Sequence, residues 1–563
     1  MNLRRHALAL LELIRRAPAA HRLVHALGQT PLGRPLIRWM LSPPKVPGYG
    51  DWLKRRAALG ARDRRRIAQE IAGWRHAPTI SVVMPAYETP ERLLRRAIES
   101  VRAQVYPHWE LCIADDASPS PDLWRLLEKY RDADPRIHIV RRRANGHISA
   151  ATNSALALAS GDYVALMDHD DVLSEDALYE IARAILAHPQ AALLYSDEDK
   201  IDAEGRRSEP YFKPAFNYEL LLQQNLVSHL GVYRRDVLLA LGGLRSAFDG
   251  SQDHDLALRV YEREGAEAIV HVPGVLYHWR QNEGDKSFSE SQAAKCADAA
   301  RRAVEEHLAR TGQPARVIPR TDIPGWLRIQ RLPPSPAPPV SLILAGADAA
   351  ASRIREATAY RPLSAGAADG EILVFMDGDL APQHADWLGE LVAHAVRPQV
   401  GAVGAKILDA WGRLEDAGLI LGGGGAIAGP LFAMASGREH GLWGHLALIR
   451  DVSAVSGACL AIRRAVLDEV GGLDAGLPGS LAALDLCLRL RRAGYDVVWN
   501  PQAELRRTRL RASGPADRKA FAAGQALLRQ RWGAALTRDP FYNPNLDLEG
   551  CDYGLGPPRK RRP

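Results

Sequence analysis

From residue 79 onward the sequence predicts an α/β fold, a doubly wound and mainly parallel sheet, in two tandem copies behind a helical N-terminal segment. Short apolar strands alternate there with amphipathic helices, the pattern of strand–helix–strand units. Clusters of acidic residues fall just after strands, at the sheet edge where such folds bind ligands. An ordered series of short motifs occurs twice in the same order, the mark of an internal duplication.

In residues 1–76, Leu8, Leu11, Leu13 and Ile14 give a rough helical stripe, and Pro43–Gly50 punctuates it. The first strand opens sharply at Ile80-Ser81-Val82-Val83-Met84 and is stopped by Pro85. A helix over Glu91–Gln104 follows, then a strand at Glu110–Ala114 and a helix at Leu123–Asp132. Next come a strand at Ile137–Val140, a helix at Ile148–Ala159 and a strand at Tyr163–Met167. Beyond Arg280 the pattern gives a helix over Ser291–Arg310 and a Pro-rich connector, Leu332–Pro339. Val340-Ser341-Leu342-Ile343-Leu344 then echoes the first strand. Met167-Asp168-His169-Asp170 returns as Met376-Asp377-Gly378-Asp379. Val232–Val237 returns as Ala461–Val466, each continuing to Gly-Gly-Leu at 242–244 and 471–473. Asp255–Arg259 returns as Asp485–Arg489. The expected divisions are a basic helical segment 1–76, a first α/β unit 77–315, a Pro-rich linker 316–339, a second unit 340–540 and a tail 541–563.

The 563 residues exceed what one core usually holds, since domains run to roughly 100–200 residues. A hydrophobic share of 47% with 25% charged residues fits ordinary globular protein and excludes disordered or fibrous classes. The five Cys are odd in number and form no C-x-x-C, which argues against a disulfide framework or structural zinc and for a reducing, cytoplasmic setting. The apolar patch Leu8–Ile14 is interrupted by Glu12 and closed by Arg15 and Arg16, unlike a signal peptide. Ala417–Gly437 is uncharged over 21 residues, but its seven Gly and Pro430 would leave amides unpaired in lipid. It reads as a Gly-rich loop beside a buried strand. The net charge of +7 is uneven: residues 1–76 carry 16 Lys/Arg against 4 Asp/Glu. Such a segment suits an anionic membrane surface, on the inner face of the cytoplasmic membrane, as well as a plain solvated helix face. No nucleic-acid motif accompanies it, so nucleic acid is not an expected partner.

Four elements of the first copy fit one chemistry. Asp115-Asp116-Ala117-Ser118 follows a strand and offers carboxylates to a base N–H or a ribose hydroxyl, although these are also common turn residues. Asp168-His169-Asp170-Asp171 crowds three carboxylates into four residues, which a cation would relieve. Oxygen ligands favour Mg²⁺ or Mn²⁺. Gln252-Asp253-His254-Asp255 opens a helix, supplying either a general base or plain helix N-terminal acids. His278, in Tyr277-His278-Trp279-Arg280, is either a further cation ligand or a packed core imidazole.

The order of these pieces resembles glycosyltransferase family 2, of GT-A (Rossmann-like) fold, with the O-antigen and rhamnosyltransferase-like tandem branch nearest in flavour. Ser81–Tyr87, Asp115–Ser118, Gly146–Asn153, the D-H-D-D run, Ser251–Asp255 and Tyr277–Arg280 carry the resemblance, and Asn543-Pro544-Asn545-Leu546 adds to it. The resemblance implies an inverting hexosyl- or rhamnosyltransferase that moves sugar from a UDP- or dTDP-sugar to a hydroxyl of a growing, lipid-linked surface glycan. It implies nucleotide contacts from Pro85, Tyr87, Asp115, Asp116 and Asp168. It implies metal ligation by Asp168, Asp170 and His278, and Asp253 as the base. His147, Asn153, Gln252, Asp255 and Trp279 are expected around donor and acceptor. Gln252 stands where the family often has Glu.

The second copy departs from that pattern. Ser81 and Asp168 are 87 positions apart, against 36 between Ser341 and Asp377, so the Asp115-Asp116 strand and turn are expected to be missing. Ala345 replaces Pro85, Ala483 aligns with Asp253, and Arg506 aligns with His278. A degenerate, inactive copy is expected. The rival readings are a non-catalytic glycan-binding protein built from two vestigial copies, and an aspartyl phosphatase, which usually carries its nucleophile on the first strand.

Overall fold

The computed structural model describes residues 48–56, 58–281, 292–323, 325–345, 349–365, 368–509 and 515–558. The stripe of residues 8–14 and the basic Arg559–Arg562 lie outside them. The chain divides into a first unit, 48–332 with 540–546 and the segment from 555, and a second, 333–539 with 547–554.

The first unit opens with α1 (Tyr49–Arg56) and α2 (Ala61–Ala72), then alternates β1 (Ile80–Ala86), α3 (Glu91–Arg102), β2 (Trp109–Asp115), α4 (Pro121–Ala133), β3 (Ile137–Arg141), α5 (His147–Leu156) and β4 (Tyr163–Leu166). There follow β5 (Val172–Leu173), α6 (Ala177–Ala187), β6 (Leu193–Ile201), β7 (Arg207–Tyr211), α7 (Tyr218–Gln223), β8 (Gly231–Arg234), α8 (Arg235–Ala240), α9 (Gln252–Glu264), β9 (Ile269–Arg280) and α10 (Ala293–Arg310). The sheet order is β3-β2-β1-β4-β8-β6-β9-β5, with β7 on β6. Strands β3, β2, β1 and β4 are parallel, as the alternation requires. The other half is mixed, because β8 runs antiparallel between β4 and β6, and β5 antiparallel to β9. The "mainly parallel" expectation thus holds for the half built from β1 to β4 and fails in the other half, where β8 is reversed although helices α7 and α8 flank it.

The helices follow their sequence signals. In α3, Leu93, Leu94, Ala97, Ile98 and Val101 are buried at helical spacing while Arg92 and Arg95 stay exposed. Helix α4 starts at Pro121 behind Ser120, whose hydroxyl accepts from Asp122 N at 3.2 Å. Strands β1 and β2 are buried throughout, as befits strands covered on both faces.

The segment expected as a linker is shorter than predicted. Ala315–Pro319 (β10) and Leu327–Arg331 (β11) form an antiparallel hairpin that belongs to the first unit. The expected tail is also built in: Asn543 Nδ2 donates to both Asp197 oxygens (2.9 and 3.0 Å) and to Lys213 O (2.8 Å).

The second unit contains β12 (Val340–Ala345), α11 (Ala349–Glu356), β13 (Leu363–Ala365), β14 (Ile372–Asp377), β15 (Leu380–Pro382), α12 (Trp387–Ala395) and β16 (Val400–Leu408). These are followed by β17 (Leu414–Asp416), β18 (Leu419–Leu421), β19 (Ala428–Pro430), β20 (Arg450–Asp451), β21 (Cys459–Arg463), α13 (Arg464–Glu469), α14 (Gly479–Arg492), β22 (Asp496–Arg507) and α15 (Pro515–Trp532). Its sheet order, β13-β12-β14-β21-β16-β22-β15, repeats that of the first unit from β2 to β5. The duplication is therefore structural. The shortening is narrower than expected: the counterpart of β2 survives as the three-residue β13, and the counterpart of β3 is missing among the described residues. The Gly-rich run lies in the β18–β19 hairpin, where a Cβ on Gly429 would stand 2.9 Å from Gly423 O. No helix among the described residues is long and apolar enough to cross a membrane.

Two devices recur in both units. Ser81 Oγ accepts from Gly161 N (2.9 Å), and Ser341 Oγ accepts from Gly370 N (2.8 Å). A Cβ at either glycine would lie 2.7 Å from backbone. Arg259 binds Asp255 and reaches the carbonyls of Leu241 and Gly243; Arg489 binds Asp485 and reaches those of Val470 and Gly472. The repeated D-x-x-x-R and Gly-Gly-Leu motifs are one latch, which explains their presence in both copies whatever either does chemically.

Candidate active site

In the first unit, β1, β2 and β4 run parallel, so Tyr87, Asp116 and Asp168 all emerge at one edge of the sheet. Pro85 is buried at the end of β1 and Tyr87 is exposed. Asp115 is buried; it accepts from Ser118 N (3.0 Å) and pairs with Arg141 Nε (3.1 Å). Both oxygens of Asp116 face Gly146 N at 3.0 and 3.1 Å, and Arg142 Nε lies 3.3 Å away. This carboxylate fastens the turn ahead of α5. His147, at φ 65°, is exposed at the rim of that turn.

The acidic run after β4 divides its labour. Asp171 is fully buried, accepting from Tyr277 Oη (2.5 Å) and Arg280 N (2.7 Å). It ties the run to β9. Asp170 makes no side-chain hydrogen bond or ion pair among the described residues; only its backbone carbonyl is engaged, by Arg280 Nε at 2.7 Å. Asp168 faces His229 Nε2 at 3.9 Å. Desolvation by the surrounding protein raises the Asp168 carboxyl above the usual carboxylate range although its side chain is 36% exposed; His229 and His169 oppose this, and Asp170 and Asp253 add repulsion. Asp171 is raised well above its ordinary range by burial, with Asp170 and Asp168 adding to it. Oxygens of Asp168 and Asp171 and a nitrogen of His229 lie within 4.8 Å of one another. An oxygen-rich, under-neutralised set with one imidazole suits a hard divalent cation such as Mg²⁺ or Mn²⁺.

The imidazole beside Asp168 is His229, not His278. Residues 277 and 278 are adjacent on β9, so their side chains leave opposite faces. Tyr277 reaches the acidic run, whereas His278 faces its register neighbour Asp199 on β6, Nδ1 to Oδ1 2.6 Å. Burial, with Arg207 nearby, holds the His278 pKa below the ordinary histidine value. His229 stacks on Tyr277, ring centroids 4.4 Å apart, with Trp279 at its edge.

Asp253 sits in the first turn of α9, and Asn225 Nδ2 donates to its Oδ2 at 2.6 Å. Gln252 Oε1 accepts from Gly250 N (2.8 Å). A cavity of about 340 Å³ opens beside them, lined by Gln224, Asn225, Ser251, His254 and Trp279 among others. Of the five residues expected around donor and acceptor, Trp279 alone lines this cavity; His147 and Gln252 do not, and Asn153 and Asp255 are engaged elsewhere in the fold. The Asn153 amide is engaged at both ends by the backbone of Leu244 (2.8 and 2.9 Å). Asp255 is wholly buried between Arg245 and Arg259.

The sequence reading missed the support beneath the site. Lys213 is fully buried, donating to Glu198 Oε2 (3.1 Å), Val227 O and His229 O (2.8 Å each). Glu198 also accepts from His229 N at 3.1 Å. This pair holds the segment 225–229, which presents Asn225 to Asp253 and His229 to Asp168. The acid-rich run Asp197-Glu198-Asp199, in a strand that opens Leu193-Leu194-Tyr195, was the available signal. For His229 the sequence offered none.

Residues 81–242 match the profile described as Glycosyl transferase family 2, and residues 347–533 that described as Glycosyltransferase like family 2. The chain is 37% identical to protein y4gI of Sinorhizobium fredii, over 90% of this chain and 61% of that one. It is 34% identical to the O-antigen biosynthesis protein RfbC of Myxococcus xanthus, over 92% of this chain and 44% of that one. It thus spans less than two thirds of either. It is 31% identical to WcaA of Escherichia coli (strain K12), named for colanic acid biosynthesis, over 35% of this chain and 73% of WcaA. Against S. aureus TarS the TM-score is 0.32 at 19% identity, too low to carry an assignment.

Proposed function

The chain belongs to glycosyltransferase family 2, and from that premise we propose that its first unit is an inverting, nucleotide-sugar-dependent transferase acting on a surface polysaccharide acceptor. The observation that carries the reading is the convergence on one sheet edge of Asp116, the under-neutralised Asp168 and Asp170, and Asp253. The names of RfbC and WcaA support a polysaccharide or O-antigen acceptor.

In this reading Asp116, Tyr87 and Pro85 flank the nucleotide at the ends of β1 and β2. Asp253, oriented by Asn225, accepts the proton of an acceptor hydroxyl. The freed oxygen forms a bond to the anomeric carbon as the bond from that carbon to the diphosphate oxygen breaks. The proton stays on Asp253, and nucleoside diphosphate leaves on the opposite face. Asp168, with Asp171 and His229 within 4.8 Å of it and Asp170 alongside, would hold a divalent cation, which when bound supplies positive charge to the departing diphosphate. The cavity lined by Trp279 gives the acceptor sugar room beside Asp253. The second unit has Ala483 at the place of Asp253 and lacks the Asp115-Asp116 turn, which supports a single active site per chain.

The test is a panel of nucleotide-sugars followed by thermal shift with and without Mn²⁺, then by acceptor-dependent release of nucleoside diphosphate. Stabilisation by one donor, enhanced by Mn²⁺ and followed by turnover, supports the reading; glycan binding without nucleotide or metal affinity sinks it.

His229→Ala is expected to weaken Mn²⁺ binding by roughly 10–100-fold, as loss of a supporting group at a metal site does. His278→Ala should leave it nearly unchanged. Calorimetric titration with Mn²⁺ compares the two, and the reverse ranking would restore His278 as the ligand. Membrane attachment through the basic N-terminal segment is a further part of the proposal. Removing residues 1–47, which spares the buried Tyr49 and its 2.6 Å bond to Asp199, should shift the protein from sedimenting with anionic vesicles to the supernatant. Unchanged sedimentation removes that segment from the account.

A further inference from the structure

We propose that Arg507 is a built-in counter-ion in the second unit, standing where the matching acids of the first unit are open to a divalent cation, so that the second unit takes none. The two sheets set the correspondence. Four residues after Asp168, Val172 faces His278; four residues after Asp377, Ala381 faces Arg506. Arg507 therefore stands at the place of Trp279. In the first unit no basic side chain among the described residues forms a hydrogen bond or close ion pair with the Asp168 and Asp170 carboxylates: His229 lies 3.9 Å from Asp168 with His169 nearby, and Arg280 is turned to the Asp170 backbone carbonyl.

In the second unit the guanidinium spans three carboxylates. Nη2 lies 3.1 Å from Asp377 Oδ2, and Nη1 2.7 Å from Asp379 Oδ1. Nε donates to both Glu415 oxygens at 2.8 and 2.7 Å. Arg507, Asp377 and Asp379 are all buried. A planar fork held this way satisfies the acids permanently and cannot be deprotonated, which a bound metal ion does only while it is present. Burial opposes the charge, but Glu415, Asp379 and Asp377 outweigh it and keep the guanidinium protonated. The D-x-D is retained in this copy because it now closes an internal salt bridge between the end of β14 and β22. The reading rests on the pairing of the two copies and not on activity of the first.

Replacing Arg507 by alanine leaves three carboxylates facing a vacated volume, with the exposed Arg509 Nε still 4.0 Å from Asp379 Oδ2, so it should create a divalent-cation site. The experiment uses the full chain in an Asp168→Asn/Asp170→Asn background, which leaves of the first unit's acidic run only Asp171, held by Tyr277 Oη and Arg280 N, with Mn²⁺ alone as probe. Binding is read by loss of the free-ion paramagnetic resonance signal and by thermal unfolding. The background chain should bind no Mn²⁺. Adding Arg507→Ala should give saturable binding of a single ion, with an unfolding temperature that rises with Mn²⁺; Arg507→Lys, which keeps a cation, should not. If Arg507→Ala fails to fold without metal, Mn²⁺ should rescue it, and so should adding Asp377→Asn/Asp379→Asn, which removes the repulsion. The proposal is overturned if the background chain binds Mn²⁺ and loses it on Asp377→Asn. It is equally overturned if folded Arg507→Ala ignores Mn²⁺, or if neither Mn²⁺ nor the Asn substitutions restore folding. Absence of Mn²⁺ binding by the wild-type chain would count against the metal reading of the first unit and leave the Arg507→Ala readout intact.

Discussion

Asp253→Asn is expected to slow sugar transfer by roughly 10²–10⁴-fold while leaving nucleotide-sugar binding close to wild type, the range typical for loss of a positioned general base. The substitution keeps the side chain's shape and its place in the first turn of α9. Asn225 still finds an oxygen acceptor on the new amide in place of the carboxylate it meets at 2.6 Å. Loss of one acid at a helix N-terminus costs about 0.3–1 kcal/mol, so the fold should survive. The expected pattern is a collapse of kcat with little change in donor KM, measured by release of nucleoside diphosphate with acceptor present. A loss of less than about tenfold would remove Asp253 from the role of base.

Two residues along the same helix, Asp255→Ala should behave in the opposite way: it should strongly destabilise the unit. Asp255 is wholly buried, with Arg259 Nε at 2.9 Å and Arg245 on its other side. Deleting one partner of a buried ion pair leaves the remaining charges desolvated and costs about 3–5 kcal/mol. Arg259 also holds the carbonyls of Leu241 and Gly243, at 3.0 and 2.8 Å, so the Gly-Gly-Leu turn should loosen with it. Urea unfolding followed by tryptophan fluorescence measures the first unit's midpoint. A companion Arg259→Leu should restore part of the loss in the double variant, since removing both charges is milder than stranding one. An Asp255→Ala protein of wild-type stability would refute the latch.

The contrast between Asp253 and Asp255 locates what the sequence can and cannot tell. Period and punctuation placed the strands of the first half within a residue or two, because each is a short apolar run closed by a turn residue. The duplication was legible because its motifs are structural in both copies. Mixed pairing in the second half was not legible, since nothing local tells whether β8 runs with or against β4. Motif membership could not separate the acid of a cleft from the acid of a latch, because both are Asp in the same helical turn. The same failure put His278 at the cation cluster: strand alternation turns it towards Asp199, while His229 arrives from a segment that carries no motif. Arg507 was invisible because its importance lies in which carboxylates it reaches across the sheet.

The measurement that bears most directly on a single active site in the first unit is Mn²⁺-dependent release of nucleoside diphosphate from the preferred nucleotide-sugar. Wild type is compared with Asp168→Asn/Asp170→Asn and with Asp377→Asn/Asp379→Asn. In the last of these Arg507 keeps Glu415 as its partner, at 2.8 and 2.7 Å. The account predicts that release is lost in the first variant and persists in the second. Release that persists when the first unit's acids are removed and fails when the second unit's are would contradict it.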